Sequence, residues 1–312
     1  MKIFNNIKIA KKYKRSSLAI GNFDGVHKGH QKVFIHTKKY AKKYNLKFGI
    51  LTFSPLPIMF FNKKIKNFRI ASEDQKFNFL KKYGVDFVIN IKFNKNFSKL
   101  SAHQFIENII YKKINPKLIF VSNNFKFGHK RKGDVKLLRK LGTKYKYRLI
   151  KTKPFRHNKK LVSSTRIRKA LKKGDIFNSN KLLSRTWSIE GKVIRGKRIG
   201  RKLGYRTCNI RIKDYLLPKE GIYAVKVRIK NEKNILKGVA YLGSRPTFKG
   251  NEIFLEINIF GIEKNLYKKI LKVYFLKFIR SDRKFSSPER LVKQMNKDVI
   301  LAKKALKAKL VL

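Results

Sequence analysis

The chain has 312 residues, 42% of them hydrophobic, and its 80 Lys and Arg against 17 Asp and Glu give a formal charge of +63. This length suggests two domains, each able to bury a core, and the apolar content excludes a disordered chain. No apolar run approaches the roughly 20 residues that span a bilayer, no signal peptide is recognisable at the N-terminus, and the single cysteine, Cys208, excludes an internal disulfide. These features predict a cytoplasmic location, in a reducing compartment. The basic residues run through the whole chain rather than forming a patch, as a composition biased toward Lys, Asn, Ile and Phe would produce. No specific nucleic-acid partner is therefore expected, although self-repulsion and attraction to polyanions are.

In chain order, Ser16–Gly21 reads as the first strand, and a helix is expected over Lys32–Tyr44. Between them lies Gly21-Asn22-Phe23-Asp24-Gly25-Val26-His27-Lys28-Gly29-His30. Two histidines three residues apart at a helix start share one face. Gly29 has no side chain, so a ligand can approach the backbone there. Free N–H groups at a helix N-terminus attract phosphate. Strand, glycine-rich turn, paired histidines and helix start together describe a site for nucleotide phosphates. Further strands are expected at Phe48–Phe53, Phe87–Ile91, Leu118–Ser122 and Tyr147–Thr152. Helices are expected at Glu73–Tyr83 after the N-cap candidate Ser72, at Ala102–Ile114 after Ser101, and at Asp134–Leu141. Such alternation predicts an α/β, doubly wound parallel sheet with ligands at the carboxyl ends of its strands.

From about Trp187 the rhythm changes to short strands at Ile189–Ile194, Tyr223–Ile229, Gly238–Leu242, Phe254–Phe260 and Leu271–Phe278. Their spacing predicts a small antiparallel barrel or sandwich. A terminal helix is expected from Pro288 to Lys309, with Leu291, Met295, Val299 and Ala302 at helical spacing. A short basic helix near Gly174–Arg185 links the halves, giving domains 1–185 and 186–312.

The segment Gly21–His30 resembles the signature of the bacterial bifunctional riboflavin kinase/FAD synthetase family, within the wider HxGH nucleotidyltransferase superfamily. Val121-Ser122-Asn123-Asn124-Phe125-Lys126-Phe127-Gly128 resembles a second block of that family, and Val162-Ser163-Ser164-Thr165-Arg166-Ile167-Arg168 a third. The basic, glycine-rich run Gly191–Asn209 resembles its kinase block, and Phe254-Leu255-Glu256-Ile257 the strand carrying its catalytic glutamate. The resemblance implies a Rossmann-like nucleotidyltransferase domain, a riboflavin kinase barrel and a terminal helix. It implies phosphorylation of riboflavin to FMN and adenylylation of FMN to FAD, both with ATP and Mg²⁺.

The same resemblance assigns roles. His27 and His30 hold the α-phosphate and leaving group, and Gly21, Asn22, Phe23, Asp24 and Gly29 shape the phosphate turn. Ser163, Ser164, Thr165 and Arg166 bind the outer phosphates, as an N-cap cluster followed by a bidentate donor. Asn124 and Arg280 border flavin sites. Gly196, Arg201 and Gly204 bind phosphate in the barrel, Thr207 and Asn209 offer hard oxygen ligands to Mg²⁺, and Glu256 is the general base. The chain departs from the family pattern at Leu56 (usually His), Arg206 (Pro), Cys208 (Ala), Tyr241 (a smaller polar residue) and Asn258 (often His). Competing readings are an HxGH nucleotidyltransferase with another acceptor and an inactive barrel, and a basic nucleic-acid-binding protein.

Overall fold

The structure, a computed structural model, describes residues 1–196, 204–247 and 250–307. The chain divides into two compact units, residues 1–66 with 73–163 and residues 67–72 with 164–312.

In the first unit, short runs of aliphatic and aromatic residues form β1 (Lys2–Phe4), β2 (Ser17–Ile20), β3 (Phe48–Ser54), β4 (Phe87–Lys92) and β5 (Leu118–Ser122). With the strand Arg148–Thr152 they make one parallel sheet, in the order β1-β4-β3-β2-β5 and then 148–152. Both faces are buried, so the strands read as continuous apolar runs rather than alternating ones. Leu18, Leu51, Ile89 and Ile119 pack toward the helical segment 102–114. Ala19, Ile50, Val88 and Phe120 pack toward α1 (Lys28–Lys43) and α3 (Glu73–Lys82), while the short α2 (Pro57–Phe61) follows β3. The strand order reverses between β2 and β5, which opens a crevice at their carboxyl ends.

Two helices of this unit start at a residue other than the one expected. The helix expected at Lys32 begins at Lys28, because His27 caps it: the His30 N–H donates to His27 Nδ1 at 3.4 Å. The helix expected at Asp134 begins at Val135, since Asp134 is its N-cap and accepts from the Leu137 N–H at 3.0 Å.

The second unit holds six antiparallel strands in a closed barrel: Ser188–Ile194, Cys208–Arg211, Gly250–Ile259, Ile235–Thr247, Gly221–Ile229 and Ile270–Arg280, in that spatial order. Closure removes the sheet edges, which settles barrel over sandwich. Ile210, Leu242, Leu255 and Ile257 fill its interior. The strand Cys208–Arg211 has no counterpart in the expected elements; four residues are too few to show a period of two. The linking helix expected near Gly174–Arg185 runs over Ile176–Leu183, and the N-cap cluster at 163–165 opens a separate helix, Ser164–Lys172; the two part at Gly174, which has a positive φ of 77°. The terminal helix Pro288–Ala305 lays Ala302 against the barrel exterior, and its expected end at Lys309 lies outside the described residues.

Candidate active sites

In the first unit the residues from Gly21 to His30 leave the carboxyl end of β2 at the switch point and enter α1. The turn is strained: Phe23, Gly25 and Val26 all have positive φ, at 49°, 78° and 41°. Such a conformation costs of order 1–3 kcal/mol at a non-glycine residue. Burial offsets it, because Phe23 is 3% and Val26 0% exposed and each contributes about 1.5–3 kcal/mol. The turn thereby delivers His27 and His30 as a stacked pair, with ring centroids 3.6 Å apart and planes at 20°. His27 is 4% exposed, and Phe23 meets the His30 ring edge-on at 5.2 Å. A Cβ at Gly29 would lie 3.0 Å from His27 and 3.1 Å from the Val162 carbonyl, so the absent side chain lets the helix start pack closely against both. Val162 directly precedes Ser163, which ends the first unit. Ser164, Thr165 and Arg166 form the first turn of the helix Ser164–Lys172 in the second unit. Asp24 is buried, and the main-chain oxygen of Asn22 accepts from Thr52 Oγ1 at 3.1 Å.

Asn124 follows β5, the neighbour of β2, and its side chain accepts from Ser122 Oγ at 3.0 Å. Beyond the carboxyl ends of β3 and β4 lies an aromatic group that sequence reasoning missed. Phe60, Phe61, Phe93 and Phe97 pack with centroids 5.2–5.8 Å apart, and Phe61 is 68% exposed. The signal was the pair Phe60-Phe61 directly after the proline-rich turn. Leu56, the departure from the family histidine, is 2% exposed and holds that turn by burial.

In the second unit, strand alternation decides which way Glu256 points. Its neighbours Leu255 and Ile257 are fully buried inside the barrel, so Glu256 stands on the outer face. Register places Asn209 on one side of it and Tyr241 on the other. Tyr241 donates to Asp282 Oδ2 at 2.9 Å. Burial first, then that hydrogen bond and the charges of Asp282, Glu220 and Glu256, push the phenol well above its ordinary pKa.

A cavity of about 340 Å³ is lined by Gly196, Thr207, Cys208, Asn209 and the loop after the strand ending at Ile259. Burial pushes the Cys208 thiol up to about 11, so it stays protonated there. Asn209 is 6% exposed, and its Oδ1 is buried with no hydrogen-bond partner among the described residues. Any side chain at Gly196 would collide with the Asn209 amide. An orphaned oxygen on a residue that lines this cavity together with Thr207 suits a hard cation that also holds phosphates. Gly204 has φ of 82°, a conformation that favours glycine, and Arg201 lies outside the described residues. Arg280 has its guanidinium engaged: Nε donates to Asp298 Oδ1 at 2.8 Å and Nη2 to Oδ2 at 2.6 Å, with Asp298 3% exposed. It ties the terminal helix to the barrel.

A family model described as FAD synthetase matches residues 9–166, and one described as riboflavin kinase matches residues 183–306. The bifunctional riboflavin kinase/FMN adenylyltransferase of Buchnera aphidicola from Schizaphis graminum is 38% identical over 97% of this chain and 98% of its own. The protein of the same name from Escherichia coli K12 is 33% identical over 92% and 91%. A solved structure from Streptococcus pneumoniae, described as a macrolide-efflux protein, has a TM-score of 0.85 at 29% identity over 96% of this chain and 98% of that one. Among the described residues no helix is long and apolar enough to cross a membrane. With end-to-end similarity and both halves matched in order, the chain belongs to the bifunctional riboflavin kinase/FMN adenylyltransferase family.

Proposed function

We propose that this chain makes FAD from riboflavin in two ATP-dependent steps, with 186–312 phosphorylating riboflavin to FMN and 1–185 adenylylating FMN. The observation that carries the reading is the stacked His27–His30 pair at the start of α1, on the switch point of a parallel sheet.

In adenylylation an oxygen of the FMN phosphate attacks the α-phosphorus of ATP, and pyrophosphate leaves. His27 and His30 steady the α-phosphate and leaving group, and the N–H groups at the start of α1 oppose the developing charge. Gly21, Asn22, Phe23, Asp24 and Gly29 form the cradle. Ser163, Ser164, Thr165 and Arg166 bind the outer phosphates. Asn124 borders the flavin, and the exposed aromatic group around Phe61 supplies faces for its ring.

In phosphorylation Glu256 takes the proton of the riboflavin 5′-hydroxyl as that oxygen attacks the γ-phosphorus, and ADP leaves. Gly196, Arg201 and Gly204 bind phosphate. Thr207 and Asn209 are the residues that would hold Mg²⁺, which when bound neutralises phosphate charge. Arg280 borders the flavin site through the helix it anchors. A cytoplasmic location belongs to the same reading, supported by the lone cysteine.

Purified protein given riboflavin and Mg-ATP should yield FMN and then FAD on chromatography. His30→Ala should lower FAD formation at least 100-fold and spare FMN formation, and Glu256→Ala should do the reverse, the range expected for removing such groups. One substitution that abolishes both steps in folded protein overturns the two-site assignment.

A further inference from the structure

The first turn of α3 carries two charged side chains into the carboxyl-end edge of the parallel sheet. Glu73 and Lys76 are three residues apart on that helix and therefore share a face. Lys76 is only 2% exposed. Lysine is rarely buried without partners, because its amine loses water on entering the interior. Lys76 Nζ donates to Thr52 Oγ1 at 3.2 Å, and Thr52 Oγ1 donates to the main-chain oxygen of Asn22 at 3.1 Å. Thr52 is fully buried. Its hydroxyl has one hydrogen, and accepting from Lys76 leaves that hydrogen for Asn22.

Glu73 fixes the helix that carries this chain of bonds. Ser54 Oγ donates to Glu73 Oε2 at 2.7 Å, and Asn90 Nδ2 donates to Oε1. Thus β3 and β4 both grip the first turn of α3. The receiving end is the Asn22–Phe23 peptide, at the entry to the strained part of the histidine turn. The peptide is planar, so holding the Asn22 oxygen also sets the direction of the Phe23 N–H.

We propose that Lys76 is a positioning residue for adenylyl transfer: through Thr52 it locks the Asn22–Phe23 peptide and holds the 21–27 turn in its phosphate-binding form. The inference rests on the adenylylation reading given above for that turn. It makes α3, which contributes no group to the chemistry, part of the site's support.

The test uses the full-length chain and the variants Lys76→Met, Thr52→Val, Thr52→Ser and the double Lys76→Met/Thr52→Val. Three quantities are read: FAD formation from FMN and ATP, FMN formation from riboflavin, and hydrogen exchange of the amides in 21–27. Lys76→Met and Thr52→Val should lower kcat for FAD formation about tenfold and speed exchange at 21–27 about fivefold. The KM for FMN and the rate of riboflavin phosphorylation should stay within about twofold of wild type, because neither depends on this peptide. Thr52→Ser keeps the hydroxyl and should behave as wild type. The double variant should be no worse than Lys76→Met alone, since both break one chain of bonds. Wild-type exchange with undiminished FAD formation in the single variants, or losses that multiply in the double, overturns the proposal. If Lys76→Met fails to fold, the contrast between Thr52→Val and Thr52→Ser decides. If wild-type protein makes no FAD from FMN, the adenylylation reading falls, while exchange at 21–27 still decides whether Lys76 holds the turn.

Discussion

Arg206 stands where the resemblance expects a proline that would fix the backbone leading to Thr207, and a hydrogen bond restrains that backbone instead. Asn258 Nδ2 donates to the Arg206 carbonyl at 2.8 Å, which tethers that backbone to the strand Gly250–Ile259. Two departures from the family pattern thus meet in one hydrogen bond. Asn258→Ala should remove about 1 kcal/mol of tethering, which is roughly a fivefold change. Steady-state kinetics should show that factor in the KM for Mg-ATP in riboflavin phosphorylation, with FAD formation from FMN unchanged. Adding Arg206→Pro to Asn258→Ala should recover most of the loss, because proline restores the restraint. The orientation of Glu256 was legible in the sequence, since an acid between two aliphatic residues in a strand must face away from the core. The Asn258–Arg206 bond was not, because its partners are 52 residues apart and nothing local pairs them.

At the scale of the element, α1 shows how capping decides a helix boundary. Apolar periodicity places its body from Lys32 onward, but the His27 side chain accepts a backbone N–H and starts the helix at Lys28. Further along the helix, His36 lies against the Phe120 ring, with centroids 5.5 Å apart, and 3.3 Å from Thr152 Oγ1. Burial first, then the charges of Lys39 and Lys32, hold its pKa below 6.5. The folded state therefore favours neutral His36, while the unfolded chain takes up a proton near 6.5. The stability from this group is fully present above that value and declines as the pH falls through it, levelling off below the folded pKa. Thermal unfolding between about pH 7.5 and 5.5 should show a smaller drop in Tm for His36→Gln than for wild type. Equal drops would show that His36 does not link protonation to folding.

For the molecule as a whole, charge dominates: 17 acidic residues cannot neutralise 80 basic ones, and a net +63 remains. Ion pairs such as Lys272–Glu190, at 2.8 Å, are local and leave the long-range repulsion in place. At about 0.1 M salt, charges more than roughly 10 Å apart are largely screened. Raising NaCl from about 0.05 to 0.5 M should therefore raise Tm by several degrees in scanning calorimetry, opposite to a fold held by surface ion pairs. A flat or falling Tm would mean that repulsion does not limit stability. The same screening should weaken association with any polyanion, without regard to its sequence.

The sequence by itself determined the two sheet types, the place where one gives way to the other, and the position of the histidine turn. These depend on periodicity, capping residues and turn chemistry, which act within a few residues of chain. Only the tertiary structure decided which polar groups meet: Lys76 with Thr52, Asn258 with Arg206, and Arg280 with Asp298, which anchors the terminal helix. Strand order, register and helix packing choose such partners across the fold. A side chain's own neighbours in sequence carry no record of that choice.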